Sequence, residues 1–366
     1  MIIGIPKEIK RHEYRVGLTP AHVAVYVQAG HEVLVETNAG IGAGFTNEEY
    51  QSAGARVLKE KTQIFSKAEM IIKVKEPLAE EVNLFREGQI LFTYLHLAAN
   101  KKLTQALLER KIVGIAYETI QLPDGSLPCL TPMSEIAGRL SIQEGAKYLE
   151  KAFGGRGVLL GGVPGVQRGR VSIIGGGVVG TNAAKIAIGI GADVTILDLS
   201  AKRLGYLDDI FGSKIQTLYS TQDNLMKCLE SSDLVIGAVL LPGAKAPKLV
   251  SKKMLKYMKK GAVIVDVAVD QGGCFETTKA TTHDEPTFVV EGVVHYCVAN
   301  MPGAVALTST EALTSVTLPY GLKIASQGWQ ESIEKDPALK KGLNMVGGKL
   351  CYEPVAISLG LPFQKL

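Results

Sequence analysis

Residues 171–198 read VSIIGGGVVGTNAAKIAIGIGADVTILD. Four β-prone residues at 171–174 run into Gly175-Gly176-Gly177-Val178-Val179-Gly180, a G-x-G-x-x-G loop. A helical stretch follows over 181–190, and a second β-prone run over 193–197 ends on Asp198. Strand, glycine loop, helix and strand make a complete βαβ unit, and each glycine has a physical task. Gly175 allows the tight turn, Gly177 lets backbone approach a pyrophosphate, and Gly180 lets the helix pack closely on the strand. The helix N-terminus, just past the loop residues Val178 and Val179, supplies unpaired N–H groups for the anion. Asp198 stands 23 residues beyond Gly175, where a carboxylate accepts hydrogen bonds from a ribose diol and repels a 2′-phosphate. NAD is therefore expected in preference to NADP. Lys202 and Arg203 follow at once, and they either soften this exclusion or form a solvated helix face.

Working outward, the first 120 residues alternate β-rich runs with amphipathic ones. Strands are expected at 2–5, 31–36, 70–75, 89–96 and 112–117. A helix is expected at 20–28, with Thr19 as cap and Pro20 in the first turn, and another at 101–110 with Leu103, Leu107 and Leu108 on one face. Such alternation implies a parallel sheet covered on both sides. A connector helix over 133–153 ends at Gly154-Gly155, and the glycine-rich GGRGVLLGGVPGVQRGR at 154–170 leads into the second series. There, strands are expected at 171–174, 193–197, 214–218, 234–238, 263–267 and 288–290, again parallel. A helix follows from about 309 to 327. The last forty residues hold too few strands for a domain of their own. The fold expected is α/β, with two Rossmann-like doubly wound parallel-sheet domains and connecting helices. A discontinuous substrate domain takes 1–129 and 307–366, and an NAD-binding domain takes 130–306.

Composition narrows the function classes. With 40 Lys plus Arg against 36 Asp plus Glu, the net charge of +4 gives no concentrated basic surface for nucleic acid. Hydrophobic residues at 46% exclude disorder, and 40 glycines in 366 residues exceed the usual ~7%, many of them between 154 and 191. Five cysteines, with no C-x-x-C pair, indicate neither a disulfide framework nor a zinc site and suit a reducing compartment. The histidines show no metal-ligand spacing, so no metal is expected. The uncharged run at 292–310 is interrupted by His295, Asn300, Pro302, Thr308 and Ser309, too polar for a membrane span. With no targeting segment visible at the start, a cytoplasmic protein is expected.

Several segments together carry a resemblance that spans nearly the whole chain. They are IGIPKEIKRHEYRVGLTP at 3–20, KVKEP at 73–77, YLHLA at 94–98, LTPMSEIAGR at 130–139, VDVAVDQGGCFET at 265–277 and HYCVANMPGAV at 295–305. The chain resembles the family that joins alanine dehydrogenases to the NAD-binding subunit of nicotinamide nucleotide transhydrogenases. The first segment is common to both branches. The others favour the dehydrogenases, since transhydrogenases lack a histidine matching His96 and carry glutamate at the place of Asp270. The resemblance implies reversible oxidative deamination of L-alanine to pyruvate and ammonium, with hydride transfer to NAD, by a homohexamer. It assigns the substrate to Arg15 and Lys75 and the chemistry to His96 and Asp270. Contacts to NAD fall to Ser134, Val178, Asp198, Arg203, Ser220, Val239, Leu240, Lys279 and two turns. The turns are Val267-Ala268-Val269-Asp270 and Val298-Ala299-Asn300-Met301. The chain departs from the family pattern with Arg203 for lysine, Lys279 for arginine and Ala306-Leu307 for Pro-Arg.

These residue types suit the reaction. An arginine fork matches a carboxylate, and a lysine hydrogen-bonds the same carboxylate or polarises a forming carbonyl. Lys73 and Lys75 are expected on one strand face, with Lys75 near the strand's carboxyl end, where open parallel sheets bind ligands. His96 closes the run 90–95, and an imidazole suits proton exchange with a carbinolamine. Asp270, past another strand end and before Gly272-Gly273, would orient the amine or the attacking water. Reaction is expected in a cleft that closes against water. The alternatives are a transhydrogenase subunit, which passes hydride to another nucleotide-binding subunit, a dehydrogenase of saccharopine type with a larger second acid, and an NAD-sensing module.

Overall fold

The computed structural model describes residues 1–239 and 246–365. They divide into two compact units, Met1–Met133 with Gly303–Leu366, and Ser134–Pro302. Among the described residues no helix is long and apolar enough to cross a membrane.

The first unit is built on an eight-stranded sheet. From one edge its strands run Arg56–Leu58, Glu32–Glu36, Ile2–Ile5, Met70–Ile72, Ile90–Thr93, Val113–Ala116, Leu343–Val346 and Lys349–Leu350. The first six are parallel, as the alternating pattern requires, and the last two pair antiparallel. The strands 90–93 and 113–116 are buried at every position, which is why they read as unbroken apolar runs. Ile64, Phe65, Phe85, Leu91 and Leu107 share a core cluster with Met345 and Leu350 from the last forty residues.

Where chain order reverses, Ile2–Ile5 lies beside Met70–Ile72. Segments leaving the carboxyl ends of these two strands flank the switch point, the place where open α/β sheets bind ligands.

Caps fix the helix starts. Thr19 accepts the His22 N–H at 3.3 Å ahead of the helix Pro20–Gln28. Asp336 accepts the N–H groups of Ala338 at 3.0 Å and Leu339 at 3.1 Å, and also holds Lys323 Nζ at 2.5 Å. Burial raises the Asp336 carboxyl, but Lys323 and the two amides prevail and hold it below the ordinary carboxylate range. Asp336→Ala is expected to destabilise the chain by about 1–2 kcal/mol at neutral pH. Because the folded-state pKa is depressed, this contribution is present above the unfolded value and lost as pH falls through the folded one. Denaturant unfolding of parent and variant should therefore converge in acid, and a difference that persists there contradicts the assignment.

The second unit holds a seven-stranded sheet ordered Thr287–Val290, Val293–Tyr296, Val263–Asp266, Leu234–Gly237, Arg170–Ile174, Asp193–Asp198 and Ile215–Tyr219. Only the edge pairing of 287–290 with 293–296 is antiparallel. Its switch point falls between Arg170–Ile174 and Leu234–Gly237.

Details depart from the sequence reading. The connector helix spans Thr131–Tyr148 and stops there, with a separate turn at Lys151–Phe153. The strand expected at 214–218 is Ile215–Tyr219, and the last long helix begins at Ala306, the first residue of the Ala306-Leu307 departure. Antiparallel pairing is confined to one side of each sheet, Leu343–Val346 with Lys349–Leu350 in the first and Thr287–Val290 in the second, while the opposite edges at Arg56–Leu58 and Ile215–Tyr219 stay parallel.

Candidate active site

In the first unit the site grows from the segments that follow three adjacent strands. After Ile2–Ile5 comes Glu8, which is buried. Its Oε1 accepts the N–H groups of Val74 at 2.6 Å and Lys75 at 3.3 Å, and its Oε2 meets Lys73 Nζ at 3.2 Å. Lys73 Nζ also donates to Glu81 at 3.0 Å. Burial pushes the Glu8 carboxyl up against the pull of Lys73. Burial also works against the Lys73 charge, but the two carboxylates prevail and keep it cationic. This corrects the reading of Lys73 and Lys75 as partners on one strand face. The paired strand ends at Ile72, Lys73 is fully buried in an ion network, and Lys75 is half-buried beyond it.

Arg15 is 2% exposed, and its guanidinium is gripped by Glu13, Nε to Oε1 at 2.7 Å and Nη2 to Oε2 at 2.6 Å. Burial opposes the charge, and Glu13 more than restores it. Nη1 faces Met133 Sδ at 3.1 Å. The fork expected for a ligand carboxylate is thus engaged along its Nε–Nη2 edge by Glu13.

His96 lies beyond Ile90–Thr93, three residues past the ladder and exposed. Its backbone is left-handed, with φ 47° and ψ 35°, and its ring stacks on Tyr94 at 5.7 Å between centroids. Tyr94 is buried, and its hydroxyl donates to the Cys129 carbonyl at 2.6 Å. Burial keeps this phenol neutral, well above its usual pKa. The segments of His96 and Lys75 run side by side, since Tyr94 N–H reaches Val74 O at 3.4 Å and Thr93 Oγ1 donates to Lys75 O at 3.1 Å. Glu76, next in line, accepts Lys10 Nζ at 2.5 Å. Burial raises its carboxyl, but Lys10, His96 and Lys75 together lower it. Its Oε2 is buried without a hydrogen-bond partner among the described residues, an acceptor available to a ligand.

In the second unit every described nucleotide candidate except Ser134, Arg203 and Lys279 ends a strand or follows a strand's carboxyl end. Gly175 has φ 102°, and a Cβ there would stand 2.8 Å from Ala238 O. A Cβ on Gly180 would stand 1.9 Å from Gly175 O, so the helix Val178–Gly189 packs against the turn with no room for a side chain. At Gly177 the opposite holds, with nothing among the described residues within 4 Å of a built Cβ. This open space lies at the exposed N-terminus of a twelve-residue helix, which fits a dinucleotide pyrophosphate.

Asp198 Oδ2 accepts the Gly176 N–H at 2.7 Å, its Oδ1 accepts Ser200 N–H at 2.8 Å, and its carbonyl accepts Ser220 N–H at 3.0 Å. Arg203 braces the same loop, Nε to Gly176 O at 2.5 Å and Nη2 to Thr181 Oγ1 at 2.6 Å. Its guanidinium is therefore turned inward to the loop, which answers the solvated-face reading. Ser134 is half-buried on the helix 131–148. That helix closes on the loop helix at Gly138, where a Cβ would stand 2.2 Å from Val179 O.

The turn Val267-Ala268-Val269-Asp270 is held by Asp266, a residue the sequence reading passed over. Asp266 is fully buried and accepts the N–H groups of Ala268 at 3.1 Å and Cys274 at 2.8 Å, and the Thr278 hydroxyl. Asp270 itself is exposed in the short turn Val269–Gln271. Val298 bridges to Thr281, Ala299 N–H reaches Thr281 O at 3.2 Å, and Asn300 is left-handed at φ 65° ahead of buried Met301. Val239 is half-buried, and Lys279 is exposed. Leu240 lies outside the described residues. Glu8, Glu13 and Asp266 were missed because each acts on backbone or on a buried cation. Only Asp266, an acid set in the apolar run 263–269, carried a visible signal, whereas Glu8 and Glu13 lie in the charged stretch 7–15.

The chain is similar to known proteins over nearly its whole length. The family model for the alanine dehydrogenase/PNT N-terminal domain matches residues 4–137, and that for the C-terminal domain matches 141–353. An alanine dehydrogenase of Methanococcus maripaludis is 62% identical over 364 residues, 99% of this chain and 98% of its own. A solved L-alanine dehydrogenase superposes with a TM-score of 0.96 at 54% identity, covering 98% of this chain and 99% of its own. A transhydrogenase from Sinorhizobium meliloti shares the fold, with a TM-score of 0.83 at 24% identity over 96% of this chain and 99% of its own. The chain belongs to the alanine dehydrogenase/PNT family.

Proposed function

We propose that this protein is an NAD-dependent L-alanine dehydrogenase, converting L-alanine, NAD⁺ and water reversibly to pyruvate, ammonium, NADH and a proton. The observation that carries the reading is His96 beside the Lys75 segment at the end of the first sheet, in a chain whose full-length relatives bear that name. The transhydrogenase alternative passes hydride between nucleotides and leaves Arg15, Lys75 and His96 without a task.

NAD supplies the hydride acceptor. The loop from Gly175 to Gly180 and the start of the helix Val178–Gly189 would hold its pyrophosphate. Asp198 would take the ribose diol through lone pairs not used by Gly176 and Ser200. Arg203, committed to Gly176 O and Thr181 Oγ1, is not set to receive a 2′-phosphate, which favours NAD over NADP.

Lys75 and Arg15 grip the alanine carboxylate. As hydride leaves Cα, positive charge develops on the imine nitrogen, and Asp270 stabilises it. His96 removes the proton from the attacking water and returns one to the departing amine. The domain assignment follows these roles, with substrate on the segments 1–129 and 307–366 and NAD on 130–306. A cytoplasmic homohexamer belongs to the same reading, supported by the family resemblance and by cysteines that are free among the described residues.

NADH consumption with pyruvate and ammonium, compared with either alone, tests the reading. Both are required on this account. Consumption with pyruvate alone makes the protein a hydroxy-acid dehydrogenase instead.

A further inference from the structure

We propose that Glu118 is a positioning residue that holds His96 in its working conformation. The inference rests on the reading of His96 as the acid/base. Glu118 follows the strand Val113–Ala116, the parallel neighbour of Ile90–Thr93, with Ala116 opposite Thr93. Its Oε1 accepts two consecutive backbone N–H groups, Leu95 at 3.1 Å and His96 at 2.7 Å, and Oε2 also lies 3.2 Å from Leu95 N. Held on one oxygen, these two amides fix the peptide plane that leads into His96, whose own backbone is left-handed at φ 47°. A residue with a Cβ avoids that conformation unless its surroundings impose it. A carboxylate oxygen makes the stronger kind of hydrogen bond to an amide, and here it pins the plane from which that torsion is measured.

The carboxylate is itself anchored. Its neighbour Tyr117 is fully buried, edge-on to Phe92 at 4.5 Å and to Tyr94 at 5.1 Å between centroids. On the other side Thr119 Oγ1 accepts Asn344 Nδ2 at 2.7 Å. Tyr94 is also the ring on which His96 stacks, so backbone and imidazole are fixed from the same short turn. Without the acceptor, the backbone at 96 relaxes out of the left-handed region and carries the imidazole away from the reacting atoms.

Glu118→Met and Glu118→Gln have matched length, and only the second keeps an oxygen for both amides. In the full-length enzyme, Glu118→Met is expected to lower kcat for L-alanine about 10²-fold, the scale of a misplaced catalytic group, while the dissociation constant for NAD stays at the parent value. Glu118→Gln should recover most of that loss. Hydrogen exchange of a peptide covering residues 94–97 should rise in the Met variant alone. Parent-like turnover in Glu118→Met, or a Gln variant as slow as the Met variant, overturns the proposal. So does loss of folding or of NAD affinity together with turnover, which marks a structural role. His96→Ala is measured alongside. If it retains parental turnover, the acid/base reading of His96 has failed rather than the role of Glu118.

Discussion

Gly180→Ala is expected to fold about 1–3 kcal/mol less stably and to bind NAD at least tenfold more weakly, a loss of about 1.4 kcal/mol or more. The reason is backbone against backbone. The new methyl would stand 1.9 Å from Gly175 O, so the helix start or the turn has to move, and both shape the phosphate site. Gly177→Ala separates the two effects. Its backbone is extended, and its built Cβ meets nothing within 4 Å among the described residues, so its stability should match the parent within about 0.5 kcal/mol. NAD affinity should nevertheless fall by at least about tenfold, because the methyl occupies the path of the pyrophosphate. Calorimetric titration with NAD, paired with denaturant unfolding, reads both quantities. An intact affinity in Gly177→Ala would place the nucleotide elsewhere.

His96→Ala is expected to lower kcat for alanine oxidation by about 10²–10⁴-fold, the range of a lost general acid/base, with NAD binding unchanged. Backbone conformation supplies an internal control. At φ 47° alanine is strained and glycine is not, so His96→Gly should be more stable than His96→Ala by roughly 1 kcal/mol, less the greater freedom glycine has when unfolded. Both variants should be equally slow. If the glycine variant were the less stable of the two, the left-handed assignment would be wrong.

The βαβ unit at 171–198 was legible because loop, helix and acid are contiguous in sequence. The switch-point order of the first sheet was not, since it depends on which strands pair. Arg56–Leu58, Leu343–Val346 and Lys349–Leu350 are two to four residues long and lie toward the sheet edges, too short for any period to show. Val293–Tyr296 is buried throughout and merges with the apolar residues after it. Arg15, Lys75 and His96 could be named from their motifs, but what holds them could not. Lys75 and His96 were placed on or at the end of strands, whereas pairing stops at Ile72 and Thr93. Just beyond those points Lys73 and Tyr94 still donate to Phe92 O and Val74 O, and after them carboxylates take the amides, Glu8 for Val74 and Lys75, and Glu118 for Leu95 and His96. These acids lie tens of residues from their partners, and no local spacing announces them. Asp266, only two residues from Ala268, was overlooked because it reads as the polar end of a strand rather than the anchor of the turn that carries Asp270.

The most direct measurement mixes the purified protein with L-alanine and NAD at alkaline pH and follows NADH absorbance together with pyruvate. The account predicts NADH and pyruvate rising in equal amounts, with no NADH formed when alanine is omitted. Absence of NADH from a protein shown by calorimetry to bind NAD would contradict it, as would hydride exchange between nucleotides that proceeds without alanine.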